Sequence, residues 1–169
     1  MKKYISPILS IILGALTFGM YGAPFMGVSS FIGSYQGQSA YECIRFESHD
    51  PASLTAFSVL SIIVLVLAGC LVVSGIFMIL QNAKVIKSKS IAKLNTVLLW
   101  ATALVAIATM ICYVVFYSDN SGSASVFGTE VGSTTIGITT IVNAAAAVVF
   151  AVIDLFTAKF CVASKKKKK

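Results

Sequence analysis

Four long apolar stretches, at about residues 4–25, 54–80, 97–117 and 136–162, leave this chain few ways to fold. At about 1.5 Å per helical residue, each is long enough to cross a hydrocarbon core of about 30 Å. A helix at a water-facing surface keeps one polar side, and these stretches have none. Only 11% of the 169 residues are charged, where a soluble domain carries about a quarter. The sequence therefore predicts an all-α membrane protein. Short connections join antiparallel neighbours, so the expected architecture is a four-transmembrane-helix, up-down-up-down bundle. It comprises one membrane domain over residues 1–164 and a basic tail over 165–169.

The first stretch follows Lys2 and Lys3 and has the outline of a secretory signal. Cleavage after Ala23 would place Tyr21 where a small residue is required and Pro24 directly after the cut. The segment is expected to remain as an anchor.

Charge orients the chain. With four crossings, Lys2, Lys3, Lys84, Lys87, Lys89, Lys93, Lys159 and the terminal run all fall on one side. The other side receives Arg45 with Glu42, Glu47, Asp50, Asp119 and Glu130. Lysine and arginine near span ends remain cytoplasmic. Both termini and an inner loop, 81–96, are expected inside, and outer loops 26–53 and 118–135 outside. The expected site is the plasma membrane; lysines three and four residues from the end would instead fit retrieval to the endoplasmic reticulum in a eukaryotic cell. Asp50 and Pro51 suit the start of the second helix.

Small or polar residues recur every seven positions: Ser61, Ala68, Gly75 and Asn82 in the second stretch, Asn95, Thr102 and Thr109 in the third, and Ala144, Ala151 and Ala158 in the fourth. Helices in lipid associate through such residues, and a seven-residue period suits left-handed crossings of about 20°. These stripes are the expected inner seams, although alanine and serine are also simply common here.

The segment "YECIRFESHD" alternates as a short strand would, and "SASVFGTEV" follows the turn-like "SDNSG". The two are candidates for a small extracellular β cap. Cys43, Glu47, His49 and Asp50 offer the sharper reading of a metal or catalytic site. One cysteine and one histidine fall short of a structural zinc set, and no third group orients a Cys43–His49 pair. No catalytic, cofactor or metal site is expected, and the protein is read as a non-enzyme. Cys43 is the one cysteine expected outside, which makes it a candidate for an intermolecular disulfide.

Asp154 is the one acidic residue within a stretch, where a carboxylate costs about 2.5–3.5 kcal/mol at mid-bilayer. Asn143 lies eleven residues earlier, on the same helical face. Together they form a candidate intramembrane polar site. The plainer reading puts Asp154 near the inner interface, paired with Lys159 or a loop lysine. Lys165, Lys166, Lys167, Lys168 and Lys169 are candidates for binding anionic lipid or an acidic partner. No aromatic residue interleaves them, so nucleic acid is not an expected partner.

The layout, with a longer first outer loop and inner termini, is similar to that of claudin-like and other tetraspan proteins. The similarity is one of layout, because that loop has no tryptophan and Cys43 alone. The reading that follows is an accessory subunit or membrane organiser, acting through lipids and a membrane-protein partner or a second copy. A small transporter or channel component, with Asp154 and Asn143 lining its path, is the alternative.

Overall fold

The computed structural model describes residues 4–23, 26–30, 33–36, 41, 52–86, 90–120, 123–126, 129–136 and 138–166. Four helices dominate them: α1 (Ile5–Tyr21), α2 (Ala52–Asn82), α3 (Ile91–Asn120) and α4 (Thr139–Lys166). By length and composition, α2, α3 and α4 each contain a segment able to cross a membrane. The 17 residues of α1 are equally apolar but span only about 25 Å. Of the four stretches expected, the first is thus shorter than its apolar run, and the third helix begins at Ile91, ahead of Val97. The last helix continues through Lys165 to Lys166, so the basic run starts within a helix.

Sequence neighbours pack together, and α1 also packs against α4, which closes the four helices into a ring. The contacts pair opposite ends of adjacent helices. Ser6, near the start of α1, meets Asp154 late in α4, while Thr17 meets Asn143 early in α4. Ser74, late in α2, meets Asn95 at the start of α3, and Phe57 and Tyr113 meet at the other end with ring centroids 5.8 Å apart.

Most seam residues lie where the seven-residue spacing places them, although Asn82 is only partly buried and the side chain of Ala158 lies outside the described residues. Ser61, Ala68, Asn95, Thr102, Thr109 and Ala151 are all fully buried. Large apolar side chains such as Val66, Leu104, Val97 and Phe156 point outward. Polar groups inside and aliphatic groups outside is the distribution that a hydrocarbon solvent selects. Thr102 and Thr109 turn their hydroxyls back to the carbonyls of Leu98 and Val105, at 2.7 and 2.8 Å, which satisfies both donors within the helix.

Two glycines set the distance between α1 and α2. A Cβ on Gly14 would stand 2.7 Å from the Ala68 carbonyl oxygen, and one on Gly75 would stand 2.8 Å from that of Pro7. Both helices approach along bare backbone, and neither carbonyl can move without moving its helix. Pro7 lies in the first turn of α1, where its missing N–H leaves no helical bond unmade.

The turn after α2 is a Schellman closure. The Val85 N–H reaches the Leu80 carbonyl at 3.0 Å and the Lys84 N–H reaches that of Gln81 at 3.0 Å. Lys84 takes the left-handed position at φ 63°, where glycine is usual. The turn stops the helix and leaves Lys84 exposed.

Four short strands form a sheet of order β2-β1-β4-β3, all pairs antiparallel. They are β1 (Met26–Ser30), β2 (Gly33–Gln36), β3 (Ser123–Val126) and β4 (Thr129–Ile136). The segment after α1 and the segment after α3 contribute one hairpin each, joined by β1 and β4. The "SASVFGTEV" run supplies β3 and the start of β4. Beyond that run, residues 132–136 of β4 pair with residues 26–30, which lie upstream of the "YECIRFESHD" segment; that segment lies outside the described residues except for Tyr41. Tyr41 donates its hydroxyl to the Phe18 carbonyl at 2.8 Å.

Close packing of α1 on α2 predicts that Gly14→Ala and Gly75→Ala each lower stability by about 1–3 kcal/mol. Gly19, whose Cβ would meet nothing within 4 Å, is the control, and Gly19→Ala should unfold at or slightly above the wild-type temperature in the same detergent.

Candidate functional site

The polar residues of the four helices do not spread evenly through the interior. They gather mainly in two groups, separated by a largely apolar layer in which Thr102 is buried with its hydroxyl returned to the Leu98 carbonyl.

The first group surrounds Asp154. Its carboxylate is 2% exposed and is held from two sides: Ser6 of α1 donates to Oδ1, and Thr96 of α3 donates to Oδ2 at 2.7 Å. Asn95 donates from Nδ2 to Ser6 Oγ at 3.3 Å, and Ser74 of α2 donates to Asn95 Oδ1. Every helix therefore contributes to one hydrogen-bonded chain, Ser74–Asn95–Ser6–Asp154–Thr96. Ser10 and Thr157 close its edges by bonding back to the Ser6 and Asp154 carbonyls. A buried carboxylate costs free energy unless its lone pairs are engaged, and here each oxygen accepts a hydroxyl proton.

The bonded partners of Asp154 among the described residues are hydroxyls on α1 and α3, and its side chain is buried in the ring. The side chain of Lys159 lies outside the described residues.

The second group contains Asn143, which is also 2% exposed. Thr17 of α1 donates to its Oδ1 at 2.9 Å and shares the same hydroxyl with the Leu13 carbonyl at 2.9 Å. Toward the sheet, Ser61 Oγ is fully buried. Its neighbourhood includes the Tyr21 phenol, which also faces Thr109.

Asp154 and Asn143 thus share the inner face of α4, as their spacing requires, but lie about 16 Å apart along the axis. Between them the interior is filled by Leu13, Leu71, Leu99, Ala147 and Ala151, each no more than 1% exposed and packed in one cluster. The structure does not bring the two candidate residues together.

The partners of Asp154 were not evident from pattern alone. Ser6 and Thr96 lie close to the lysines that mark one end of their helices, Lys3 and Lys93, as Asp154 lies close to Lys159. Depth counted from those lysines was the available signal, and it applies to all four helices. Cys43 and Lys167 to Lys169 lie outside the described residues, and the side chains of Lys165 and Lys166 are likewise not described. Among the described residues no group of three or more His, Cys, Asp or Glu side chains could hold a metal. No family model matches the chain, and no curated protein or solved structure matches it either.

The network makes Asp154 a fastener of the helix ring. Asp154→Ala strips the acceptors from Ser6 and Thr96 and should lower stability by about 1–3 kcal/mol, at about 0.6–1.7 kcal/mol per interhelical bond. Asp154→Asn keeps a carbonyl acceptor without the charge and should remain within about 1 kcal/mol of wild type. Thermal unfolding of both variants in one detergent checks the order; equal melting of Asp154→Ala and wild type would refute it.

Proposed function

We propose that this is a tetraspan membrane protein that acts by contact, as an accessory subunit or organiser, and that it is not an enzyme. In this reading α1 also crosses the bilayer; its 17 residues stand at the lower end of the usable range of about 17–25. The lysine-bearing helix ends face the cytoplasm with both termini, and the sheet lies outside, where it meets a membrane-protein partner or a second copy. The basic inner face, from Lys84 to Lys93 and over Lys165 to Lys169, attracts anionic lipid. The plasma membrane is the proposed location.

The observation that carries this reading is the apolar layer between Asp154 and Asn143. A route for an ion or polar solute needs polar groups or water along its length. Leu13, Leu71 and Leu99 fill the interior at the middle of the ring, and the polar chain on the cytoplasmic side is satisfied within itself. The second reading, a small transporter or channel component, draws on the buried carboxylate. It would require that layer to part.

Two measurements test the proposal. Purified protein in liposomes should leave sodium, potassium and proton gradients as they are in empty liposomes. Gradient decay that Asp154→Asn abolishes, with folding retained, would establish transport instead. Single cysteines placed at Ser90 and Ser125 in a chain with its four native cysteines replaced should react with an impermeant maleimide from opposite sides of the membrane. Labelling of both from one side would overturn the four-span arrangement.

A further inference from the structure

On the outer surface of the ring, α2 and α3 leave between them a groove of about 550 Å³. Val66, Gly69, Val73 and Phe77 form one wall and Leu94 and Leu98 the other. One polar residue, Ser74, reaches it, and its hydroxyl is already committed to Asn95 and the Leu71 carbonyl. From Val66 to Phe77 the groove follows about 16 Å of helix, close to half of a hydrocarbon core of about 30 Å. An apolar channel one leaflet deep has the dimensions of a lipid tail.

The segment that joins the two walls, residues 81–96, carries the headgroup chemistry. Lys93 follows Ile91 and precedes Leu94, both groove residues, and Lys84 is held at the end of α2 by the Schellman turn. Both lysines are exposed. Between residues 81 and 96 there are four lysines and no carboxylate, so nothing in that segment neutralises them.

We propose that this groove is a specific site for one anionic phospholipid, with an acyl chain between α2 and α3 and its phosphate beside Lys84 and Lys93. The site is separate from the terminal lysine run and rests on the reading that α2 and α3 cross the bilayer. The ligand would fill a surface that the fold itself leaves open, since its walls are already fixed by the Ser74–Asn95 bond behind them.

The test uses the full chain reconstituted into vesicles of equal phosphatidylglycerol and phosphatidylcholine, extracted in mild detergent and weighed by native mass spectrometry. One phospholipid per chain should be retained, with phosphatidylglycerol favoured at least about fivefold, the scale of a single lysine near an anionic surface. Gly69→Leu and Val73→Trp should each abolish retention. The first introduces a Cβ that meets only the Phe18 ring at 4.0 Å, and the second starts from a side chain 52% exposed, so both variants should keep wild-type melting. Lys84→Gln with Lys93→Gln should retain lipid but bring the two headgroups to parity. Val149→Trp, on the exposed face of α4, should match wild type.

Retention unchanged by both groove variants, or without headgroup preference in the wild type, would overturn the proposal. So would a dimer that the groove variants dissociate, which would assign the surface to a second copy. An alkaline wash separates the two levels of failure: protein released from vesicles overturns the membrane-spanning reading, whereas protein that stays without bound lipid overturns the groove site alone.

Discussion

A carboxylate shared between helices is the constraint on which this fold turns. Asp154 brings to α4 a group that lipid rejects, and Ser6 and Thr96 accept it from α1 and α3. Asn95 and Ser74 extend the chain to α2, so four helices are joined through one set of hydrogen bonds. Van der Waals contact alone would leave aliphatic helices with little to distinguish one register from another. A polar group that is satisfied in one arrangement and stranded in others supplies that distinction. The Gly14 and Gly75 contacts then set how closely α1 lies on α2.

The same residues bear on whether the interior could carry a polar solute. Most polar groups sit at two depths, with leucine and alanine packed between them beside Thr102, whose hydroxyl is spent on its own helix. In the lower group, donors and acceptors match within the protein, which leaves little reason for water to enter. The contact reading of function rests on this separation rather than on the presence or absence of a charge.

Much of the helical framework was legible in the sequence because apolar length and seven-residue spacing both answer to geometry. Asn95, Thr102 and Thr109 repeat at the period that keeps a face turned inward, and all three are buried. The Asp154 network was less legible. Its members come from four helices, and periodicity within one helix carries no information about the height at which another meets it. Asn143 and Asp154 illustrate the limit: a shared face follows from spacing, but the filling between them depends on Leu13, Leu71 and Leu99 from the other three helices. The sheet was legible only in part, because short alternating runs such as 41–47 and 26–30 differ little by pattern, and pairing depends on where the helices release the chain.

Chain order gives the buried network a temporal meaning. Synthesis delivers α1, α2 and α3 before α4, so Ser6, Ser74, Asn95 and Thr96 are made ahead of the carboxylate that joins them. Until α4 arrives, the three-helix array presents a hydroxyl- and amide-lined flank, a surface that hydrocarbon solvates poorly. Ring closure conceals that flank in one step. A nascent or truncated chain is thereby chemically marked as incomplete, and arrival of the last helix removes the mark.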